Sequence, residues 1–331
     1  MPPSIITVLS ARRLPAVPAP HGNTNNSISI FTSTGFQVLT TKEYHSAISS
    51  LRPDIAIPLA DLTNHSASPT TKRATRMAER TDQWLKEYFS ELDPTTVLNP
   101  LKTSTFAPIL PIPYAIQWEY IERLSEDLFS SLAGLAVYDP DVLPDIADHY
   151  PNLLTLPRLT LSPPTTPHHI LRQISLGIDI FTLPFINTVS DSGLALSFTF
   201  PPTTTSPSTT PGGPLPLAID LSSPAHQISL TPLQENCTCY ACTHHHRAYI
   251  NHLLSAREML GWTLLQIHNH AVMASFFDGI RAALSQSQEA FEAACLEFNA
   301  TYDPEFPAGT GEKPRARGYH YKSGAHEGKQ A

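Results

Sequence analysis

The feature that most constrains this chain is a tight group of cysteines, Cys237, Cys239 and Cys242, in a C-x-C-x2-C spacing. Such clustering, in a chain without a recognisable secretory signal, indicates a metal site rather than disulfides. Zinc in closed sites takes four nitrogen or sulfur ligands. His268 follows Cys242 after 25 residues and is the predicted fourth ligand, at the junction of two predicted helices. We expect one structural zinc ion per chain, with no open coordination position.

Two alternatives to this ligand set stay open. The cluster could be three buried or redox-active thiols beside an unrelated histidine. Other histidines also compete for the fourth position: His244, His245, His246, His252 and His270. Three of them lie too near the cysteines to close the shell easily, and His252 would fall in mid-helix. The fourth cysteine, Cys295, sits alone on a predicted helix, where core packing is the default interpretation.

Charge and hydropathy exclude some classes of function. The 331 residues carry a formal net charge of −8. A protein that holds nucleic acid alone usually has a basic face. We therefore expect any nucleic-acid role to depend on a partner's charge. No apolar run reaches the ~18–20 residues of a membrane span, so we predict no integral membrane segment.

Short apolar runs alternate with helical patterns, which predicts an α/β fold with a parallel sheet. The predicted buried strands are Ser27–Phe31, Asp54–Leu59, Phe106–Ile112, Leu135–Val137, Leu153–Leu156 and Ile178–Phe181. The predicted helices are Lys72–Tyr88, Pro167–Leu176, Arg247–Leu260 and His270–Leu284. A further helix, after the strand Phe106–Ile112, is predicted to have Trp118, Ile121, Leu124, Leu128 and Leu132 on its apolar face. Residues 201–214 are low-complexity and predict a flexible loop, and residues 301–331 predict a disordered tail.

The segment CTCYACTHHHRAYINHLLSAREMLGWTLLQIHNH resembles the zinc region of the tRNA-guanine transglycosylase family. In that family three cysteines and the histidine of an IHN element bind zinc, and R-A-Y begins the next helix. Cys237, Cys239, Cys242, His268 and Arg247-Ala248-Tyr249 match in identity and spacing. Weaker matches lie upstream in the family's order: FTSTGFQVLT, PLADLT, LAGLAV and PRLTLSPPTTPHHILRQISLGIDIFTLPF.

This resemblance implies a TIM-like (β/α)8 barrel with a zinc-binding subdomain near the C-terminus. We expect an irregular segment at 1–24, the barrel at 25–300, and the zinc subdomain at about 235–290. Family members have about a hundred further residues before the first matched element, whereas this chain has about thirty. The first barrel strands are therefore expected to be absent, through a truncated sequence or an incomplete barrel.

Both catalytic carboxylates of the family are replaced in this sequence. The family's nucleophile is the second Asp of a D-M-F-D element, which here reads Asp179-Ile180-Phe181-Thr182, so Thr182 takes its place. The other Asp belongs to a DSGG element, where Thr32 stands. A neutral hydroxyl without a general base does not readily replace a carboxylate. Asp61 matches a base-contacting Asp and Gly134 a strand glycine, but we assign no catalytic residue.

A retained zinc motif without the carboxylates implies a non-catalytic member of the family. Such a chain pairs with a catalytic subunit in the heterodimeric eukaryotic queuine tRNA-ribosyltransferase. That complex exchanges guanine for queuine at wobble position 34 of tRNAs with GUN anticodons. The resemblance implies contact with tRNA through the complex and a partner surface on the helices after Cys242. We expect a cytoplasmic location by default, and the resemblance admits peripheral association with the mitochondrial outer membrane.

Two competing hypotheses are kept. One is an active transglycosylase with relocated carboxylates, using Asp179 or Asp61. The other is a zinc-dependent scaffold with no role in tRNA modification. Base exchange by the isolated chain would support the former, and failure to bind any catalytic subunit would support the latter.

Overall fold

The computed structural model describes residues 5–13, 17, 19, 22–63, 68–91, 103–202, 213–311 and 313–314. Most of the predicted flexible loop and of the predicted tail therefore lies outside the described residues. The chain divides into two compact units. The first comprises Met1–Pro163 with Arg172–Thr182, and the second comprises Pro164–Leu171 with Leu183–Ala331.

The first unit is an alternation of strands and helices around a parallel sheet. Its elements are β1 Val8–Leu9, β2 Ser27–Thr32, β3 Gly35–Thr40, α1 Thr41–Leu51, β4 Ile55–Ala56, α2 Thr71–Glu91, β5 Ser104–Ile109, α3 Tyr114–Glu126, β6 Gly134–Val137, α4 Leu143–His149 and β7 Arg158–Thr160. Helix α5, Pro167–Ser175, follows β7 and contributes residues to both units. The sheet has five strands in the order β1-β4-β5-β6-β7, all paired in parallel.

This sheet agrees with the predicted α/β class and fits an incomplete TIM-like barrel. A parallel bridge between Leu159 and Ile180 continues the series beyond β7. Two expectations need correction. Strand β1 lies within the segment 1–24 that was expected to be irregular. The predicted strand Leu153–Leu156 is instead largely a 3-10 helix, Pro151–Thr155, and the strand begins at Arg158.

The predicted parallel strand Ser27–Phe31 is wrong in its pairing, because β2 and β3 form an antiparallel hairpin. Thr32 pairs with Gly35, so only two residues form the turn. A parallel pair needs a crossover of roughly a dozen residues, and a two-residue turn permits only antiparallel pairing. Gly35 has a φ of 107°, which an L-residue rarely adopts. The hairpin leads directly into α1, which begins at a capping box between Thr40 and Glu43.

The predicted apolar face of helix α3 is confirmed in part: Ile121 and Leu124 are buried, whereas the helix ends at Glu126, before Leu128 and Leu132. Its buried residues are Gln117, Tyr120, Ile121 and Leu124. Trp118, which was expected on the apolar face, is 43% exposed. Gln117 lies on the buried face, where its amide donates to the carbonyl oxygens of Leu110 and Ile112 at 3.0 and 2.6 Å. These hydrogen bonds satisfy a polar side chain at a position that the apolar pattern did not predict to be buried.

The second unit packs helices on a two-stranded antiparallel sheet. Its further elements are α6 Phe185–Asp191, β8 Leu194–Leu196, β9 Ala218–Asp220, α7 Tyr240–His244, α8 Arg247–Ser255, α9 Met259–Gln286 and α10 Gln288–Thr301. An aromatic cluster fills part of its core, with Phe198 in edge-to-face contact with Phe276 and Phe298 at 5.4 and 5.9 Å between centroids. Such contacts add stabilisation beyond apolar burial.

The predicted boundary between the helices after the cysteines is wrong. The first helix ends at Ser255, and the second already begins at Met259 and runs for 28 residues. The break includes Arg257, whose φ is 58°. Gly261 then allows a close approach, since a Cβ there would lie 3.2 Å from Leu253. His268 is consequently in the interior of α9 and not at a helix junction.

Residues just after α10 are ordered parts of the second unit, although they fall within the predicted tail. Tyr302 is buried and forms a parallel bridge with Leu215. The side chain of Thr310 donates a short hydrogen bond to Asp220. The described part of the tail therefore contacts Leu215 and strand β9 of the second unit.

Candidate metal centre

The three cysteines lie on a short loop and on the first turn of α7. Cys239 is the N-cap residue of this helix, and its Sγ accepts a hydrogen bond from the Cys242 amide at 3.4 Å. Cysteine is an unusual N-cap, because serine, threonine, aspartate and asparagine are preferred there. The capping contact turns Cys242 back toward Cys239, so that their sulfur atoms face the same point.

His268 completes the group from the buried side of α9. Its Nδ1 lies 3.8 Å from the sulfur of Cys237, 3.6 Å from that of Cys239 and 3.4 Å from that of Cys242. One ligand atom from each of the four residues lies within 4.8 Å of every other. His268 is completely buried, whereas the cysteines are half-buried. The group is therefore compact enough to hold a metal ion.

The imidazole of His268 is oriented by the backbone of β8. Its Nε2 donates to the carbonyl oxygen of Leu196 at 2.8 Å. The Nδ1 atom therefore faces the sulfur atoms: it donates to them when the imidazole is protonated, and a metal ion that displaced this proton would meet its lone pair. Metal-binding histidines commonly donate their second ring nitrogen in this way, which fixes the tautomer and the ring orientation.

Asn269 supports the same strand and was not predicted as a functional residue. It is completely buried. Its Oδ1 accepts from the Leu196 amide at 2.8 Å, and its Nδ2 donates to Ser190 Oγ and to the Leu194 carbonyl at 2.9 and 3.0 Å. The IHN motif contains this residue, but its role depends on contacts more than 70 positions away in sequence.

The electrostatics of the cluster favour a positive charge at its centre. Burial raises the pKa of Cys239, but hydrogen bonds from His268 and from the Cys242 amide outweigh it and lower the pKa to about 6. Burial lowers the pKa of His268, but its contacts with the three cysteines outweigh burial and raise the pKa to about 11. The Cys239 thiol thus ionises readily beside a cation. A divalent metal ion is a cation that such a donor set can hold.

The other histidines that were considered as the fourth metal ligand make different contacts. The ring of His244 stacks on Tyr240 and that of His245 on Tyr249. His246 is the N-cap of α8, where its Nδ1 accepts from the Tyr249 amide at 3.1 Å. The side chains of His252 and His270 are exposed. Among the described residues, only His268 joins the three cysteines.

The resemblance matched Thr32 and Thr182 to the positions of the family's two carboxylates. Thr182 is exposed. Thr32 ends β2, where its hydroxyl donates to the Gly35 carbonyl at 2.9 Å and so stabilises the hairpin turn. Asp179 accepts from Arg158 Nε at 2.8 Å and from the Arg158 amide at 2.9 Å. It therefore pairs with Arg158 at the first residue of β7.

Asp61 is fully buried and bound by cationic side chains. Arg73 donates to both carboxylate oxygens at 2.7 and 2.6 Å, and Arg80 donates to Oδ2 at 2.6 Å. The two arginines lie seven residues apart, about two helical turns, and so share a face of α2. This spacing is visible in the sequence, but the sequence pattern does not show that the two arginines contact Asp61.

Gly134 has a packing role at the start of β6. A Cβ at this position would lie 2.5 Å from the ring of Phe106 on β5. The glycine therefore permits the ring to cover the strand.

Among the described residues, no helix is long and apolar enough to cross a membrane.

The fold and the cysteine–histidine group define a transglycosylase-type protein, and sequence comparison agrees. Residues 2–304 match the model of the queuine tRNA-ribosyltransferase (TGT) family, and the chain belongs to this family. The queuine tRNA-ribosyltransferase accessory subunit 2 of Schizosaccharomyces pombe is 33% identical over 95% of this chain and 68% of its own length. Proteins of that name in Drosophila grimshawi and Drosophila melanogaster are 32% and 27% identical, over 81% and 80% of this chain. The chain spans 64% and 63% of these two relatives.

Proposed function

We propose that this chain is the non-catalytic subunit of a heterodimeric queuine tRNA-ribosyltransferase. In this role it supports exchange of guanine for queuine at wobble position 34 of tRNAs with GUN anticodons. The observation that carries the proposal is the 33% identity to a relative named as an accessory subunit, over 95% of the chain. The resemblance also supports the proposal, because it places Thr32 and Thr182 where the family has its two catalytic carboxylates.

The environments of Asp61 and Asp179 favour the non-catalytic role over an active enzyme with relocated carboxylates. A nucleophile needs a free carboxylate oxygen near the reacting carbon. Asp61 already accepts from two arginines and has no solvent exposure. Asp179 is paired with Arg158. Each acid would have to break a charge-assisted pair before it could attack a ribose.

We infer that the metal is zinc and that its role is structural. In a tetrahedral site with Zn–S of ~2.3 Å and Zn–N of ~2.05 Å, sulfur and nitrogen ligands are about 3.6 Å apart. The three distances from His268 Nδ1 to the sulfur atoms are 3.4 to 3.8 Å. Three thiolates and one imidazole fill the shell, so the ion has no position for a substrate. It would hold the loop of Cys237 to the interior of α9.

The proposed surface for the catalytic partner is formed by exposed apolar side chains near the cysteines. The loop before them carries Ile228 and Leu230, which are 90% and 76% exposed. Tyr240 on α7 and Leu260 on α9 are also exposed. Exposed apolar patches of this kind commonly mark protein interfaces. We place the complex in the cytoplasm, and peripheral association with the mitochondrial outer membrane belongs to the same proposal.

Co-expression with a catalytic subunit from the same organism tests the proposal. We would measure guanine–queuine exchange into tRNA by each chain alone and by the purified pair. The expected result is no exchange by this chain, and strong exchange only with both chains present. Exchange or a covalent tRNA adduct formed by this chain alone would support relocated carboxylates. If the catalytic chain is fully active alone and does not bind this chain, the scaffold hypothesis is preferred.

An interface variant separates binding from folding. Replacing Leu230 with Asp places a charge on the proposed surface without removing a buried side chain. We expect the variant to keep its metal and its thermal stability but to lose the partner in size-exclusion chromatography. The matched control replaces Leu296, which is 72% exposed on α10, with Asp. Loss of pairing in both variants, or in neither, would contradict the proposed surface.

A further inference from the structure

A second polar site lies in the first unit, at the carboxyl ends of its parallel strands. Arg12 follows β1 after two intervening residues, Asp61 follows β4 after four, and Tyr138 directly follows β6. The carboxyl ends of parallel strands meet at the same edge of a sheet. Residues from three separate strands are thus brought together where barrel proteins place their ligands.

The carboxylate of Asp61 has no remaining acceptor capacity for a further cation. Its Oδ1 accepts from Arg73 and from Asn23 Nδ2, both at 2.6 Å. Its Oδ2 accepts from Arg73 at 2.7 Å and from Arg80 at 2.6 Å. These four hydrogen bonds use the positions that a carboxylate offers.

Arg12 brings a third guanidinium to this group. Its Nη2 donates to Asn23 Oδ1 at 2.9 Å, but its Nε and Nη1 are buried and have no hydrogen-bond acceptor in the part of the chain that the structure describes. The pKa of Arg12 is lowered, chiefly because the guanidinium is buried. The charge of Arg73 lowers this pKa further, whereas interactions with Tyr138 and Asp61 partly raise it. The group therefore holds three guanidinium ions and one carboxylate. Two positive charges are left without a counter-charge among its described members.

We propose that Arg12 and Arg73 bind a phosphate group at the carboxyl edge of this sheet. A guanidinium presents parallel N–H donors that match two phosphate oxygens, and the charge of a phosphate dianion equals the excess. The Nε and Nη1 of Arg12, which have no acceptor among the described residues, lie on different sides of the guanidinium, so each can donate a separate hydrogen bond to a phosphate oxygen. Arg73 keeps 28% of its side chain exposed, which leaves this side of the group open to a ligand. The site is separate from the cysteine cluster and independent of the proposed function.

The test is a titration of the full chain with inorganic phosphate in a phosphate-free zwitterionic buffer at constant ionic strength. Calorimetry and the thermal midpoint would report binding. The variant Arg12→Gln removes the charge, and the control Arg13→Gln removes the same charge from the exposed neighbouring residue. We expect phosphate to stabilise the wild type and the control equally. Arg12→Gln should bind phosphate at least about tenfold more weakly.

The stability of the variant without phosphate distinguishes a binding role from a structural one. If Arg12 is an uncompensated buried charge, Arg12→Gln should melt at or above the wild-type temperature in phosphate-free buffer. A lower melting temperature, with an unchanged response to phosphate, would show that Arg12 is only structural and would overturn the proposal. So would the absence of phosphate binding by the wild type.

Further arms identify the source of the phosphate group. The same titrations would use adenosine 5′-monophosphate and a short RNA with or without a 5′-phosphate. Arg12-dependent binding of the monophosphate, or only of the 5′-phosphorylated RNA, supports a terminal phosphate. Equal Arg12-dependent binding of both RNAs supports an internal phosphodiester. Binding of any of them that does not change in Arg12→Gln contradicts the proposal.

Discussion

Replacing Cys239 with Ala should remove both a metal ligand and a helix cap. The cap is the contact between its sulfur and the Cys242 amide, and loss of an N-cap costs ~1 kcal/mol. A metal present at a thousand times its dissociation constant stabilises the fold by ~4 kcal/mol. The second unit should therefore lose about 5 kcal/mol, which corresponds to a decrease in Tm of about 10 to 20 °C for its size.

The assay combines metal analysis by mass spectrometry with differential scanning calorimetry. Wild-type protein should contain about one zinc per chain, and Cys239→Ala close to none. Excess chelator should lower the wild-type Tm toward that of the variant and leave the variant unchanged. The control is Cys295→Ala on α10, a half-buried thiol outside the cluster, which should keep its zinc. Unchanged zinc content in Cys239→Ala, or equal loss in the control, would refute the ligand assignment.

Three further substitutions test contacts at the metal group, at Asp61 and within the parallel sheet. Asn269→Ala removes three buried hydrogen bonds, so we expect the free energy of unfolding, measured with denaturant, to fall by ~2–4 kcal/mol. The same variant should bind the metal about tenfold more weakly, because the Leu196 carbonyl that orients His268 would be displaced. Asp61→Asn leaves the guanidinium ions around it unpaired and should cost ~3–5 kcal/mol in the same measurement. Gly134→Ala would place a Cβ 2.5 Å from the Phe106 ring and should lower stability by ~1–3 kcal/mol through overpacking.

Each of these substitutions has a matched control. His270→Ala changes the exposed neighbour of Asn269, and Asp127→Asn changes a carboxylate whose side chain is 72% exposed. Gly22→Ala adds a methyl group where no atom lies within 4 Å. The three controls should unfold within about 0.5 kcal/mol of the wild type. Equal effects in a variant and its control would contradict the structural explanation of that site.

The cysteine spacing was sufficient to predict the metal group, because a short C-x-C-x2-C loop brings its sulfur atoms together by local geometry alone. The position of His268 was harder to predict. The break before α9 falls at Arg257, a residue with no intrinsic preference for a positive φ. Only tertiary packing, such as the approach of Leu253 to Gly261, determines where the helix begins.

The environment of Asp61 could not be predicted from the motif that contains it. Its partners Arg73 and Arg80 lie on the next helix, and Asn23 lies in a loop 38 residues earlier. The alternation of strands and helices gave the class of fold, since apolar runs and helical periodicity are local patterns. The pairing of β2 with β3 was missed because a short apolar run does not reveal the direction of its neighbour.

The side chains of His268 and Asn269 also satisfy the second backbone edge of the buried strand β8. One edge of β8 pairs with β9, as the hydrogen bonds from Ser197 to Leu217 and from Leu221 to Gly193 show. The amide and carbonyl of Leu196 and the carbonyl of Leu194 point the other way, where they meet His268 and Asn269. An uncapped edge is a template for another chain. His268 and Asn269 therefore occupy the backbone groups at which another strand could add to β8.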